Sequence, residues 1–122
     1  MQYPNSFKNK FIIFIIFIFF IFLDFFSKKI IFNTVDLNTF LYVTSFFDLT
    51  HIHNFGISFG FFSALPSWFF ILVGVFLILI VIYMLLLSRN NYEKVGFFMI
   101  ISGGSSNIFD RILNGYVIDF IY

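Results

Sequence analysis

Two carboxylates near the end of the sequence, Asp110 and Asp119, are the side chains best suited to general acid–base chemistry. A pair that shares a proton must lie within a few ångströms, which drives their proton affinities apart. On one continuous helix the two would sit ~13.5 Å apart and about 180° around the axis. A helix alone therefore cannot make them a dyad. Asn114-Gly115 is a turn sequence between them, yet a reversal there need not bring them together. The spacing gives them different parts: Asp119 seeks a partner elsewhere, and Asp110 supports the site. Asn107, Asp110 and Arg111 follow at i, i+3 and i+4, so on a helix Asn107 neighbours both of the others. Such a cluster could hold a substrate carbonyl or orient a carboxylate, and it could equally be a structural network at a helix end.

Asp24 and Lys28 form an i, i+4 pair with the acid first, the favourable order on a helix. An interfacial ion pair explains them as well as a functional role does. His51 and His53 share a strand face, as two metal ligands would, but there is no cysteine and no third histidine, so no metal site is expected. Gly56 and Gly60 in Asn54-Phe-Gly-Ile-Ser-Phe-Gly60 fit a tight turn and not a phosphate loop. Ser58, Ser105 and Ser106 lack a suitably placed His or Lys to activate them as nucleophiles. No cofactor is expected.

The elements that must position these groups are apolar to an unusual degree. The 122-residue chain is 61% hydrophobic and 11% charged, and phenylalanine alone occurs 24 times. Soluble domains are roughly 25% charged, and a chain this short buries only about 60–70% of its surface. Lipid must cover the rest, and ionisable residues kept beside membrane spans are functional candidates by default. The net charge of +1 and the lack of a basic stripe argue against nucleic acid as a partner.

Phe11–Leu23 is an unbroken apolar run with Lys8 and Lys10 ahead of it. It lacks a small-x-small cleavage site, so a first spanning helix over residues 11–30, closed by Asp24 and the following lysines, is preferred to a cleaved signal. Residues 33–65 are rich in β-branched, aromatic and polar residues, with strand character at Thr39–Thr44 and Leu49–His53 and turn residues at Asn33, Asp36 and Asn38. Pro66 opens a second helix over 68–88. A third covers 95–113, where Gly96, Gly103, Gly104 and several serines would let a neighbouring helix approach. Three crossings place Asp24, the 33–65 segment and Arg111–Tyr122 on the membrane face opposite the N-terminus, although the lysine and arginine bias is slight.

Three motifs, in order and spacing, resemble the lipoprotein signal peptidases (signal peptidase II). Asp24-Phe-Phe-Ser27-Lys28 is similar to the family's Asp-x-x-Ser/Thr-Lys, and Asn54-Phe-Gly56-Ile-Ser-Phe59 to its Asn-x-Gly-x-x-Phe. Asn107-Ile-Phe-Asp110-Arg111 with Gly115-Tyr-Val117-Ile-Asp119-Phe120 is similar to its longest and most specific signature. The resemblance implies an all-α membrane protein: one peptidase domain over residues 1–122, comprising three transmembrane helices of a four-helix bundle. It also implies a small extracytoplasmic β-element between helices one and two. Asp119 would be one of two catalytic aspartates, one acting as base on water and the other as acid toward the amide. Asn54, Asn107 and Arg111 would hold the substrate backbone or orient the carboxylates, and Gly56, Asp24, Lys28 and Asp110 would support them. The implied substrate is a prolipoprotein whose lipobox cysteine carries diacylglycerol, cut before that cysteine. The implied setting is a monomer in the lipid of the bacterial cytoplasmic membrane, its N-terminus cytoplasmic. Where the family pattern has Gly-Gly-x-x-Gly-Asn, this chain reads Ser102-Gly103-Gly104-Ser105-Ser106-Asn107, with serines in place of two glycines. The family's second aspartate, in a Phe-Asn-x-Ala-Asp motif opening helix four, is expected beyond Tyr122, which would leave residues 1–122 inactive. A transporter fragment with a broken third helix, or a non-catalytic membrane subunit, is the alternative.

Overall fold

The computed structural model describes residues 6–122, with side chains from Phe11 onward; Met1–Asn5 and the lysines at 8 and 10 lie outside what is described. Its elements are α1 (Ser6–Thr34), β1 (Phe40–Thr44), β2 (Phe47–Asn54), a short 3-10 turn (Ser58–Gly60), α2 (Ser67–Leu87), α3 (Asn91–Asn114) and β3 (Val117–Ile121).

Helix α1 has 29 residues and neither glycine nor proline inside it. It runs past Asp24, where the sequence turns from apolar to charged, and ends four residues beyond the expected boundary at residue 30. Asn33, expected in a turn, lies in its last turn. The helix continues because its charges find partners, as set out below, and because Ser27 and Thr34 turn their hydroxyls back onto the Leu23 and Ile30 carbonyls (2.6 and 2.7 Å). Helix α2 follows Pro66 directly, as the sequence implies. Helix α3 begins at Asn90, whose side chain accepts from the Tyr92 N–H at 2.9 Å. It stops at Gly115, which adopts the left-handed conformation (φ 82°) and donates its N–H to the Arg111 carbonyl.

Helix α3 lies between α1 and α2, which do not touch each other among the described residues. Gly74 of α2 faces Ile108, and Gly104 of α3 faces Ile78; a Cβ at either glycine would come within 3.1 and 3.3 Å of those side chains. Gly96 and Gly103, also expected to admit a neighbour, face open space instead. The buried apolar residues among those described are only Ile31, Val35, Phe70, Ile101 and Val117. Most of the other large hydrophobic side chains are exposed, and the rest are half-buried. α1 and α2 are both long and apolar enough to cross a membrane, and few residues of either are fully buried. Such helices and such a surface are those of a membrane protein.

The β-element is larger than the sequence suggests. It is not confined to the connection between α1 and α2, because the chain after α3 returns as β3 to make a three-stranded antiparallel sheet in the order β1-β2-β3. Asn54 pairs with Val117, His53 with Ile118 and Ile52 with Asp119. Past a bulge, Asp48 and Tyr122 exchange backbone hydrogen bonds of 2.8 and 3.1 Å.

The loop after β2 folds tightly on itself. The Ile57 N–H donates to the Phe61 carbonyl at 2.9 Å, and a Cβ on Gly56 would lie 2.0 Å from that same oxygen. Only glycine fits there. Gly56→Ala is expected to force the loop apart and cost roughly 1–3 kcal/mol, read as a lowered midpoint of thermal unfolding in lipid. An unchanged midpoint would mean that the loop does not pack in this way.

Candidate functional site

Because Ile52 opposes Asp119 and Asn54 opposes Val117, Asn54 and Asp119 sit diagonally on one face of the sheet. The Asn54 side-chain amide donates to Asp119 Oδ2 at 2.6 Å and to the Ile57 carbonyl at 2.8 Å, while its oxygen accepts the Gly56 N–H at 2.9 Å. Every polar atom of this buried side chain is used. It ties β2, the following loop and the Asp119 carboxylate into one unit.

Arg111 braces the same loop from α3. Its Nη2 donates to the Gly56 carbonyl at 2.6 Å, its Nη1 to the Asn107 carbonyl at 3.3 Å, and the guanidinium lies 5.6 Å from the centre of the Phe70 ring. Asn54, Asn107, Arg111 and Asp119 border one cavity of about 360 Å³, whose other wall includes Ile57, Phe59 and Val117. A carboxylate, an amide and a guanidinium thus converge at the mouth of a largely apolar cleft. Such a cleft can accept an extended chain and present it to a base.

A second polar cluster joins α1 to α3. The Lys28 ammonium, only 5% exposed, lies 2.7 Å from Asp24 Oδ2 and donates to Asn107 Oδ1 at 3.0 Å. Asp110 Oδ2 is also 2.7 Å away, out of line for a hydrogen bond but at ion-pair distance. The Ser106 hydroxyl donates to Asp24. One ammonium thus hydrogen-bonds the Asn107 amide oxygen and pairs in charge with two carboxylates.

The sequence-predicted residues therefore separate into two groups. Asn54, Gly56, Arg111 and Asp119 meet around the cavity; Asp24, Lys28 and Asp110 meet between helices; Asn107 touches both, through its backbone and its side chain respectively. The expected local network of Asn107, Asp110 and Arg111 is not formed as such. Asp110 turns to α1 and Arg111 to the loop. Phe70 was not singled out from the sequence, and Ser106 was weighed only as a nucleophile and a small residue, not as a donor to Asp24. A hydroxyl facing a helix neighbour carries no signal in one sequence, and one phenylalanine among 24 carries less. His51 and His53 are adjacent, with ring centres 5.1 Å apart, but no group of three or more metal-binding side chains occurs among the described residues.

The fold is that of a bacterial membrane enzyme. Two such enzymes, solved by the in meso method at 2.3 and 1.9 Å resolution, are similar to this chain with TM-scores of 0.77 and 0.71. The first is 26% identical and covers 90% of this chain and 68% of its own; the second is 25% identical and covers 89% and 72%. Residues 16–122 match the family described as Signal peptidase (SPase) II, and the chain belongs to that family of proteases. The lipoprotein signal peptidase of Wigglesworthia glossinidia brevipalpis is 38% identical over 102 residues, covering 81% of this chain and 67% of the relative. That of Caldicellulosiruptor bescii is 45% identical over 75 residues, covering 60% and 48%. The chain thus spans between about half and two thirds of the curated relatives it matches. A transporter or a non-catalytic subunit is not favoured, since the family match runs through every motif discussed above.

Breaking the inter-helix cluster at its centre should be costly. Lys28→Met leaves Asp24 and Asp110 without a counter-charge, and removal of one partner of a buried pair costs about 3–5 kcal/mol. The loss is expected as a large drop in unfolding midpoint in detergent, with partial recovery when Asp24→Asn and Asp110→Asn are added. Equal stability of Lys28→Met and the parent would show that the cluster is not structural.

Proposed function

We propose that the protein removes the signal peptide from a prolipoprotein by aspartic-type hydrolysis, with Asp119 as a catalytic carboxylate. The observation that carries this reading is the Asn54–Asp119 hydrogen bond at the mouth of the cavity. Asn54 engages Oδ2 and so leaves the other oxygen to take a proton from water as that water attacks the scissile carbonyl. An acid must also protonate the departing nitrogen. Asp110 is unsuited to this because it is committed to Lys28. The resemblance assigns that part to a second aspartate outside residues 1–122. Arg111 and Gly56 act through the loop: the guanidinium holds the loop carbonyl and thereby fixes the Asn54 amide. Neither a metal nor a cofactor is needed for this chemistry.

The same reading makes residues 1–122 one peptidase domain, with α1, α2 and α3 as three spans of a four-helix bundle in the cytoplasmic membrane. α3 supports this by its polarity pattern. Ser102, Ser106 and Asp110 are buried at i, i+4 and i+8, while Ile100, Phe109, Ile112 and Leu113 face outward. The diacylglyceryl group of the substrate would stay in lipid while the peptide enters the cavity from the extracytoplasmic side. The working unit is a monomer, and no nucleic acid takes part.

Orientation is testable because the chain has no cysteine of its own. A cysteine replacing Ser58, on the loop bordering the cavity, is expected to react with an impermeant reagent added outside the cell. One replacing Arg89, in the α2–α3 connection, should react only after permeabilisation. The opposite pattern would overturn the topology.

For the chemistry, Asp119→Asn in the full-length enzyme, given a diacylglyceryl-modified lipobox peptide, is expected to lower kcat by 10²–10⁴-fold or more, roughly what general acid–base help is worth. The fold should persist, because an asparagine oxygen can still accept from Asn54. Near-normal turnover would remove Asp119 from the mechanism.

A further inference from the structure

Adjacent to Asn54 lies a cluster of rings that the proposed chemistry does not use. His53 stacks on Tyr116, with ring centres 3.9 Å apart and planes 15° from parallel. Phe32 of α1 lies parallel to His53 at 6.3 Å, His51 meets His53 edge-on at 5.1 Å, and Phe55 leans on Tyr116 at 5.4 Å. Tyr116 is the residue between the end of α3 at Gly115 and the start of β3, and His53 is the residue before Asn54. The stack therefore clamps the junction where Asn54 pairs with Val117. Two residues further along β3 is the carboxylate that Asn54 holds.

The cluster has no room for extra protons. His51 is 3% exposed, and its Nδ1 lies 2.8 Å from the Val35 carbonyl. A carbonyl only accepts, so Nδ1 carries the hydrogen and Nε2 is left with its lone pair, buried and unpartnered. His53 Nε2 is likewise buried without a partner. A proton added at His53 Nε2 would create an N–H with no acceptor and a cation beside a second imidazole. The other charged groups around the stack do not relieve this. On the α1 side, Lys28 and Lys29 border a cavity with Phe32 and Tyr116, and Asp110 there is already paired to Lys28. On the other side, Arg111 and Asp119 border the cavity beside His53, the one positive and the other held by Asn54. Asp36, next to Val35, is exposed. A cation over the Tyr116 ring would gain some attraction. Burial first, and His51 second, nevertheless hold the His53 imidazole below its ordinary value of 6.5.

We propose that His53 is a positioning residue: stacked on Tyr116, it holds the Asn54 amide against Asp119 only while its imidazole is neutral. As pH falls below the ordinary histidine range, His53 takes up a proton, the stack opens and Asn54 loosens from Asp119. The sign follows from linkage: the unfolded chain binds this proton first, so the clamp is fully formed above about pH 6.5 and weakens below it. The proposal rests on the reading of Asp119 as catalytic for its significance, but not for its test.

The test uses isotope-labelled chain in lipid nanodiscs, followed by NMR from about pH 8 to about pH 5, above the range where an ordinary aspartate titrates. The expected result is that the Asn54 side-chain amide signal shifts together with the His53 ring, with a shared midpoint below 6.5. In His53→Phe, which keeps an aromatic ring but cannot bind a proton, the Asn54 signal should stay constant over the same range. An Asn54 signal that stays fixed while the His53 ring titrates in the parent overturns the proposal, whether or not the variant folds. So does a shift that persists in His53→Phe. Turnover is not read, so a failure of the catalytic assignment would show separately, in Asp119→Asn.

Discussion

The buried ammonium of Lys28 is the interaction on which the site depends. It draws Asp110 toward α1, and on a helix the next residue points about 100° away. Fixing Asp110 against α1 therefore aims Arg111 at the opposite neighbour, the loop after β2, where its guanidinium meets the Gly56 carbonyl. Asn107, one turn earlier, meets the same ammonium with its side chain and Arg111 with its backbone. The azimuth of the last turns of α3 is thus set by charge, and everything C-terminal to it inherits that setting. With two carboxylates to one ammonium, the cluster would be unstable without further donors. Ser106 provides one to Asp24, and Asn107 completes the ammonium's coordination without adding charge.

From Gly115 onward the constraint passes to the backbone. A left-handed residue ends α3, and β3 then pairs with β2 so that Asp119 arrives diagonally opposite Asn54. The carboxylate is held by a side chain whose other donor and acceptor are tied to the loop that Arg111 braces. The two polar clusters are therefore coupled in series: Lys28 orients α3, Arg111 fixes the loop, the loop fixes Asn54, and Asn54 fixes Asp119. Nowhere does this chain rely on a large apolar core, since five residues make up the buried apolar set among those described. Hydrogen bonds and charges can carry so much of the specificity because Lys28, Asn54, Ser106 and Asp110 are buried, where water does not compete for them.

How much of this was legible in the sequence depends on which physical cue each element left. Helix α2 was legible to within a residue, because an uninterrupted apolar run after a proline has one reading in a membrane. The end of α1 was misread, because Asp24 looks like the edge of the apolar zone. Its charge is in fact paired with Lys28 one turn later, and it accepts a hydrogen bond from Ser106, 82 positions away. Strand β3 was not foreseen at all. Val117-Ile-Asp-Phe-Ile121 is short enough to read as an extension of α3, and only the conformation of Gly115 decides otherwise. The candidate site residues were all named from motifs, but their grouping was not: i, i+4 spacing predicts neighbours along α3, whereas Asp110 and Arg111 both prefer partners on other elements.

Helix α3 shows what composition alone misses about the two faces of an element. It is not among the helices apolar enough to be recognised as spans, because it carries Ser102, Ser105, Ser106, Asn107, Asp110 and Arg111. Hydropathy counts these residues without regard to direction. Ser102 is 1% exposed and returns its hydroxyl to the Phe98 carbonyl at 2.7 Å; Ser106 and Asp110 continue the same line against α1. The outward face carries Met99, Ile100, Phe109, Ile112 and Leu113 instead. A soluble helix with this pattern would be inside out. Here the polar atoms are paired against α1 while the apolar ones face outward, the arrangement suited to an apolar surrounding. The same residues that lower the hydropathy of α3 are those that make its orientation unique, and a more hydrophobic helix could rotate freely against its neighbours and would leave Arg111 without a defined target.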